Sequence, residues 1–359
     1  MPKPLTPGLY GPLPTFFDDD QEIDFESYKK HLLNLASKGI GRSARLCWFT
    51  RRGGPSGKPQ AVPTWTACRK TRPDASAQSY EERQQLIQFI RTALDEAGLA
   101  DTPIVAGVGG SSTRETIQLA RAASEAGADA GLVILPAYYA ASLSADQDQV
   151  YQYYVEICAA SPIPLFLYNF PANSGGQDIS SEIIEKIIKT ATNLCGVKLT
   201  CGGSVGKLIR LASAIENDPS INGTRPHQFL LLDGLIADLT PWMQNGGHGT
   251  VSGIPNFAPA ASVRLWHLLT KVDPAEAERK EARRIQAILS NADVAAVPAG
   301  VRGMKYVLHK LHGFGKAPRR PLLPLREMEG ERLMDVFGDM LRLEAEVAGK
   351  VTDGGDYGR

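Results

Sequence analysis

Short apolar runs alternate with longer amphipathic segments through most of the chain. Turn-forming residues bound the apolar runs, which is typical of buried strands. The longer segments repeat apolar residues at helical spacing, which indicates helices with one buried face. The predicted strands are Leu9–Thr15, Pro103–Gly107, Ala130–Leu135, Ile163–Tyr168, Leu194–Lys198, Phe229–Asp233 and Gly249–Gly253. The predicted helices are Phe25–Ala36, Tyr80–Ala97, Thr113–Ala126, Ser144–Ala159, Ser180–Thr190, Ser204–Ile215 and Leu235–Asn245.

Strand–helix units repeated in this way predict a parallel sheet with crossover helices. One further strand between Lys38 and Tyr80 brings the count to about eight, the number that closes a barrel. We therefore expect an α/β fold, a (β/α)8 TIM barrel over residues 1–257. An all-helical extension follows over 258–349, packed on the outside of the barrel or at a subunit contact, and 350–359 is a disordered tail. The helices predicted in the extension are Ala258–Leu269, Ala275–Asn291, Val301–Leu311 and Glu327–Val347.

Two motifs that end neighbouring strands carry the chemistry. Tyr168-Asn169-Phe170-Pro171 follows one apolar run, and Gly196-Val197-Lys198 ends the next, one strand–helix–strand unit later. In a parallel barrel, both side chains emerge at the carboxyl edge, where such enzymes hold their active sites. A lysine amine kept neutral by burial can attack a ketone to form a Schiff base, and a nearby phenol can move the protons. Lys198 and Tyr168 therefore indicate carbon–carbon lyase chemistry on a keto acid.

Composition mainly excludes classes of partner, location and cofactor. The 39 basic and 39 acidic residues balance, so charge gives no indication of a nucleic-acid or membrane partner. We find no apolar stretch of bilayer length, no signal peptide, and no disulfide or zinc spacing among the five cysteines, and so expect a cytosolic protein. His309 and His312 are the only closely spaced histidines, and no carboxylate cluster suggests magnesium. We expect neither a metal nor a cofactor.

The residues above resemble the class I aldolase family of dihydrodipicolinate synthase and N-acetylneuraminate lyase. The likeness covers nearly the whole chain outside residues 42–78. It rests on Pro136-Ala137-Tyr138-Tyr139, Tyr168 to Gly175, Gly196-Val197-Lys198 and Gly246 to Ser252, in this order and spacing. The resemblance implies a TIM barrel that binds a small keto acid and assembles as a homodimer or homotetramer.

By position, the resemblance implies that Lys198 forms the Schiff base and that Tyr168 shuttles protons. Tyr139 resembles the tyrosine that these enzymes lend to a neighbouring subunit's site. Val251 and the backbone around Gly234 and Gly253 match positions that line the pyruvate pocket. The family also has a Gly-x-(Thr/Ser)-Gly-Glu turn after the second strand, which holds the substrate carboxylate. That turn is missing from this chain.

Within the family, the best likeness is to fungal 2-keto-3-deoxy-L-galactonate aldolases, also called L-threo-3-deoxy-hexulosonate aldolases. It rests on Lys198 to Gly202 and on the Tyr-Asn-Phe-Pro run followed by Gly175-Gly176. The implied reaction is cleavage to pyruvate and L-glyceraldehyde. Alternatives are a 4-hydroxy-2-oxoglutarate aldolase, a dihydrodipicolinate synthase-like enzyme and a catalytically inert barrel. Dihydrodipicolinate synthases usually have an arginine where Asn173 stands, which argues against the biosynthetic reading.

The segment Arg42–Gln78 lacks usable periodicity, and so long a structureless insert is unusual in a compact barrel. Our hypothesis is that it combines a shifted reading frame with a retained intron. Read in a frame shifted by one nucleotide, the codons of Trp48–Gly57 permit Gly-Ser-x-Gly-Glu-Ala-Val-His-Leu, and those of Ser43–Leu46 permit an apolar strand ahead of it. Gly57-Lys58 can encode an intron donor and Gln78 an acceptor, and splicing between them joins Leu to Ser79. The restored sequence contains the missing turn. Because the segment as written would then not belong to the natural protein, Cys47, Cys68 and Arg69–Arg72 are given no functional weight.

Overall fold

A computed structural model describes residues 2–40, 66–68, 78–202, 204–223, 225 and 228–352. Eight parallel strands in sequence order form a closed barrel, and pairing between the first and last strands completes it. The predicted (β/α)8 fold is confirmed. The strands are β1 (Gly8–Pro12), β2 (Thr66–Cys68), β3 (Ile104–Gly107), β4 (Ala130–Ile134), β5 (Leu165–Asn169), β6 (Leu194–Leu199), β7 (Leu230–Asp233) and β8 (Gly249–Val251).

Helices follow the strands and surround the barrel. They are α1 (Phe25–Ser37), α2 (Tyr80–Glu96), α3 (Thr113–Glu125), α4 (Ala140–Ala145), α5 (Gln147–Ala160), α6 (Ser181–Thr190), α7 (Val205–Asn217), α8 (Ser220–Gly223), α9 (Leu239–Gln244), α10 (Pro259–Thr270), α11 (Glu276–His312) and α12 (Glu327–Thr352). Single 3-10 turns occupy Pro171–Asn173, Ile236–Asp238 and Ile254–Asn256.

Side-chain alternation along the strands divides the apolar core into two layers. The larger layer lies between the strands and the surrounding helices, and the smaller one fills the barrel. The inner layer includes Tyr10, Leu132, Phe166, Leu230 and Val251. The barrel is therefore closed below its carboxyl edge by packed side chains, which leaves that edge for a site.

Serine hydroxyls begin several of the outer helices. The side chain of Ser112 accepts the backbone N–H of Glu115 at the start of α3. Ser180 likewise accepts the N–H of Ile183 at the start of α6. These caps satisfy N–H groups that have no partner within the helix, and they fix where each helix leaves its loop.

The second strand lies inside residues 42–78, the segment whose sequence lacks usable periodicity. Thr66–Cys68 pairs with β1 on one side and β3 on the other. This is the one further strand predicted between Lys38 and Tyr80, and the backbone of Cys68 helps to close the barrel. The predicted Gly-x-(Thr/Ser)-Gly-Glu position and the remainder of 42–77 lie outside the described residues.

Some predicted helix boundaries differ from those in the structure. The predicted helix Ser144–Ala159 is two helices, because Asp146 ends α4 and caps α5. The two helices predicted between Ala275 and Leu311 correspond to the two halves of α11, which meet at a kink with non-helical backbone at Gly300. The predicted tail 350–359 begins too early, since α12 continues to Thr352, and residues 353–359 lie outside the described part of the chain.

Within the described ranges, no helix has the length and apolar character needed to cross a membrane. Among these same residues, no group of three or more His, Cys, Asp or Glu side chains is placed to hold a metal ion.

Candidate active site

Strands β5 and β6 bring Tyr168 and Lys198 together. The two residues are direct partners in the parallel ladder. The ammonium nitrogen Nζ of Lys198 lies 4.1 Å from the centre of the Tyr168 ring, and the two residues are only 2% and 1% exposed. In its protonated form, a lysine amine over an aromatic face at this distance is attracted electrostatically by the ring. The pair predicted from the two motifs is thus a contact.

Packing inside the barrel explains why the Gly196-Val197-Lys198 motif begins with glycine. Gly196 and Lys198 lie on the same side of β6, and Val197 lies on the other. A Cβ atom at position 196 would come within 2.4 Å of the Phe166 ring, so only glycine admits that ring into the barrel. Phe166 in turn lies on the same side of β5 as Tyr168. The motif therefore combines packing below the site with the reactive amine above it.

Lys198 and Tyr168 open into a cavity of about 240 Å³ at the carboxyl edge of the strands. This volume is below the ~300–1,000 Å³ typical of pockets for drug-sized ligands, so it suits a small metabolite. All the predicted residues except Tyr139 line it: Lys198, Tyr168, Asn173, Gly234, Val251 and Gly253. Lys198 is the single cationic side chain among the described residues that line the cavity, so this lining favours an anionic substrate.

Several lining residues were missed from the sequence. They are Pro12, Phe170, Thr200, Leu235, Val297, Pro298 and Gly300. Strand alternation beyond Lys198 would have indicated Thr200. Its buried Oγ1 has no hydrogen-bond partner among the described residues and can therefore receive a bond from a substrate or donate one to it. Val297, Pro298 and Gly300 lie about one hundred residues downstream in a helix, where no local pattern indicates a site.

A polar network holds the loop that follows β5. The Asp178 carboxylate accepts hydrogen bonds from the Asn169 amide and from the Lys207 ammonium, each at 2.6 Å. The Gln177 amide nitrogen donates to the carbonyl oxygens of Pro136 and Ser174, at 3.0 and 2.5 Å. Gln177 therefore ties the loop that carries Asn173 to the loop that carries Tyr139. The network fixes one wall of the cavity relative to the barrel.

Tyr139 does not reach this cavity within its own chain. It is 53% exposed, and its ring meets that of Tyr138 edge-on, with ring centres 5.2 Å apart. Tyr139 lines a separate surface groove of about 630 Å³, together with Tyr153, Asp146 and Glu156. The position suits a side chain that extends away from its own barrel. Its predicted role in a neighbouring subunit's site remains a prediction.

Two titratable groups lie near the ends of β7 and β8: Asp233 at the carboxyl end of β7 and His248 just before β8. Burial raises the pKa of the Asp233 carboxyl well above its usual value, although the backbone N–H of Leu235 donates to it at 3.2 Å. Burial lowers the pKa of His248 to about 4, and its Nδ1 accepts the N–H of Leu231 at 3.1 Å. Both groups brace the ends of β7 and β8, and neither lines the cavity.

Comparison with known proteins places this geometry in a family. Residues 71–338 match the dihydrodipicolinate synthetase family. The crystal structure of a dihydrodipicolinate synthase family protein from Coccidioides immitis superimposes with a TM-score of 0.76 at 27% identity, covering 97% of this chain and 99% of that one. The chain belongs to the dihydrodipicolinate synthetase family, and it is an aldolase, a carbon–carbon lyase, of that family.

Two fungal relatives are similar over almost their full length. "Probable 4-hydroxy-2-oxoglutarate aldolase, mitochondrial" from Emericella nidulans is 31% identical over 96% of this chain and 98% of its own. L-threo-3-deoxy-hexylosonate aldolase from Aspergillus niger is 30% identical over 95% of this chain and 97% of its own. These relatives support the family assignment that the motifs indicated.

Proposed function

We propose that this aldolase cleaves a 3-deoxy-2-keto sugar acid through a Schiff base on Lys198, giving pyruvate and a small aldehyde. The observation that carries the proposal is the buried contact between Lys198 and Tyr168 at the base of a small cavity. The favoured substrate is 2-keto-3-deoxy-L-galactonate, and the favoured aldehyde is L-glyceraldehyde.

The mechanism begins with attack of the Lys198 amine on the C2 ketone, and loss of water then gives an iminium ion. Tyr168 takes the proton of the C4 hydroxyl, and the C3–C4 bond breaks. The bonding electrons move into the iminium to form an enamine, and the aldehyde leaves. Protonation of the enamine at C3 and hydrolysis of the imine release pyruvate and restore the amine. Tyr139 of a neighbouring subunit would complete the proton path, in a homodimer or homotetramer.

The lining of the cavity favours a sugar acid over 4-hydroxy-2-oxoglutarate. The second substrate carries another carboxylate at its far end, and Lys198 is the single cation among the described lining residues. A carboxylate without a basic partner is poorly stabilised in a partly desolvated site. The hydroxyls of a sugar acid suit Asn173 and the unpartnered hydroxyl of Thr200. The name of the Emericella relative supports the oxoglutarate alternative, and that of the Aspergillus relative supports the sugar acid.

Borohydride trapping tests the proposal directly. Incubation with pyruvate and borohydride should add a reduced pyruvate adduct to Lys198, located by peptide mass spectrometry. Lys198→Ala should abolish the adduct. Lys189→Ala is the matched control, because Lys189 is half exposed and pairs with Glu185 at the surface. This control should label like the unchanged chain.

The trapping result also separates the enzyme from an inert barrel. A folded protein that gains no adduct would overturn the proposal and support the inert alternative. With an adduct established, cleavage rates for 2-keto-3-deoxy-L-galactonate and 4-hydroxy-2-oxoglutarate decide the substrate. We expect the sugar acid to be the better substrate. The prediction of a cytosolic location is tested separately by microscopy of a tagged protein.

A further inference from the structure

The break in α11 forms part of the wall of the cavity. Val297, Pro298 and Gly300 line the space that also contains Lys198 and Tyr168. Pro298 has no N–H to continue the helix, and its ring conflicts with the carbonyl one turn earlier. Gly300 has φ 57° and ψ −145°, a conformation that glycine tolerates and other residues rarely adopt. The break therefore has a local cause in the sequence Val297-Pro298-Ala299-Gly300.

Hydrogen bonds hold the helix firmly before the break. The Gln286 side chain donates to the carbonyl of Ile236 at 2.8 Å and accepts the Thr240 hydroxyl at 2.6 Å. The Asp293 carboxylate accepts the N–H of Ala237 at 3.1 Å. These bonds fasten α11 to the loop after β7, whose first residues also line the cavity.

The helix is anchored after the break as well. The buried ammonium of Lys305 donates to the carbonyl of Ala317 at 3.0 Å and to that of Thr15. Thr15 lies just beyond β1, whose last residue, Pro12, lines the cavity. Since both halves of α11 are tied to barrel loops at the cavity, the break is a fixed wall rather than a movable cover.

The break lies at the mouth of the cavity. Val297 is 46% exposed, whereas Lys198 at the base is 2% exposed. Asn173 is exposed on the loop after β5 and forms another part of the rim. A keto acid whose C2 joins Lys198 would direct the carbons beyond C4 toward this rim. The rim therefore meets the aldehyde portion of the substrate and not the pyruvate portion.

We infer that Val297 at the break in α11 determines how long an aldehyde portion this site accepts. The inference rests on the proposed function and names a specificity-determining residue for it. A larger side chain at position 297 narrows the mouth and selects for short aldehydes, and a smaller one admits longer aldehydes. In apolar pockets, one or two methylene groups change kcat/KM by roughly 10- to 200-fold.

The test compares V297F and V297A on 3-deoxy-2-keto acids of five, six and seven carbons. V294F is the matched control, because Val294 is 69% exposed on the same helix and does not line the cavity. Because Val297 is exposed, neither change disturbs the core. For V297F, the six- to five-carbon ratio of kcat/KM should fall about tenfold or more. For V297A, the seven- to six-carbon ratio should rise, and V294F should keep both ratios within about twofold.

Two further measurements keep this inference separate from the proposed function. Pyruvate trapping on Lys198 should be equal in all three variants, because pyruvate does not reach the rim. Its absence from the unchanged chain would overturn the Schiff-base proposal. Calorimetric affinities for the same series of acids test the length limit without requiring turnover. If the ratios and affinities of V297F and V297A match those of V294F, the inference is wrong.

Discussion

At the scale of the residue, Tyr168 has both a structural and a proposed chemical role. Its ring supports the Lys198 amine, and its hydroxyl is the proposed proton acceptor. Tyr168→Phe keeps the ring and removes the hydroxyl. Pyruvate trapping on Lys198 should therefore continue, while kcat for cleavage falls by about 10²–10⁴-fold, the usual contribution of general acid–base catalysis.

Tyr154→Phe is the matched control for this prediction. Tyr154 is buried on α5, and its hydroxyl donates to the carbonyl of Val133 at 2.9 Å, away from the cavity. Its loss should lower stability by about 1–3 kcal/mol and leave kcat nearly unchanged in the folded enzyme. Full cleavage activity in Tyr168→Phe would eliminate the proposed role of the phenol.

His31 makes the stability of the fold depend on pH. Burial lowers its pKa to about 4; Nε2 donates to Asn256 Oδ1 at 2.9 Å, and the nearby His312 also opposes protonation. The rings of Phe16 and Phe314 cover the remainder of the imidazole. Because the folded pKa lies below the ordinary 6.5, the stabilisation is complete above pH 6.5 and is lost as pH falls toward 4.

His31→Gln isolates this effect, because the amide can keep the bond to Asn256 and does not titrate. The free energy of unfolding of the unchanged chain should fall by up to about 3 kcal/mol more than that of the variant between pH 7 and pH 4. Denaturant melts at several pH values measure the difference. Parallel pH profiles for the two proteins would exclude His31 as the cause.

The positions of single residues could be predicted from the sequence where strand alternation decides orientation. Lys198 and Tyr168 end apolar runs, so their register at the carboxyl edge follows once the strands are known. The same rule could have indicated Thr200, which was missed. His31 could not be predicted, because its partners Asn256 and Phe314 come from distant elements and meet only through the closed barrel.

At the scale of the element, the loop after β5 depends on Gln177. Its amide nitrogen joins two backbone carbonyls, and the residue is 2% exposed. Gln177→Met keeps the volume but leaves both carbonyls without this donor. We expect a loss of about 1–3 kcal/mol in unfolding free energy. KM should rise more than kcat falls, because Asn173 loses its fixed position while Lys198 keeps its own.

Gln149→Met provides the control for that change. Gln149 is exposed on α5, and its side chain donates a local hydrogen bond to Asp146 at 3.2 Å. The free energy of unfolding of the Gln149→Met protein should therefore change by less than about 0.5 kcal/mol. Urea melts and steady-state kinetics give both quantities. Equal KM values in the two variants would contradict the proposed positioning role of Gln177.

The elements differ in how far the sequence could predict them. Apolar runs and amphipathic spacing indicated most of the barrel strands and helices, because each signal is local. The break in α11 was predicted only as a gap between two helices, since Pro298 and Gly300 mark an interruption without showing what it faces. Its place in the cavity depends on contacts with the loops after β1 and β7, which no local pattern contains.

At the scale of the whole molecule, the C-terminal extension is part of the barrel's enclosure. The carboxylate of Glu344 on α12 accepts the N–H groups of Ala260 and Ala261 at 3.0 and 2.8 Å. It thereby caps α10, which has no side-chain cap of its own. Since α11 also lines the cavity, the extension and the barrel together form the site. The order of the motifs could not reveal this joint construction.

The reading frame of residues 42–78 decides whether the whole molecule has a carboxylate-binding turn. The family match begins at residue 71, inside this segment, and the carboxylate-binding turn expected after the second strand is missing from the chain as written. Thr66–Cys68 supplies a strand but no such turn. We propose that the natural transcript restores Gly-Ser-x-Gly-Glu, with the second strand supplied by the shifted codons of Ser43–Leu46.

The restored chain should cleave the sugar acid at least about 100-fold better in kcat/KM, because each charge-assisted hydrogen bond to the substrate carboxylate contributes about 1.5–3 kcal/mol. Pyruvate trapping on Lys198 should be faster for the same reason. Expressing both chains side by side measures the difference, and the sequence of the transcript across Gly41–Ser79 provides the independent check. A transcript that reads through this segment as written, or equal activity in the two chains, would show that the missing turn is a true feature of the protein and that its carboxylate is bound elsewhere.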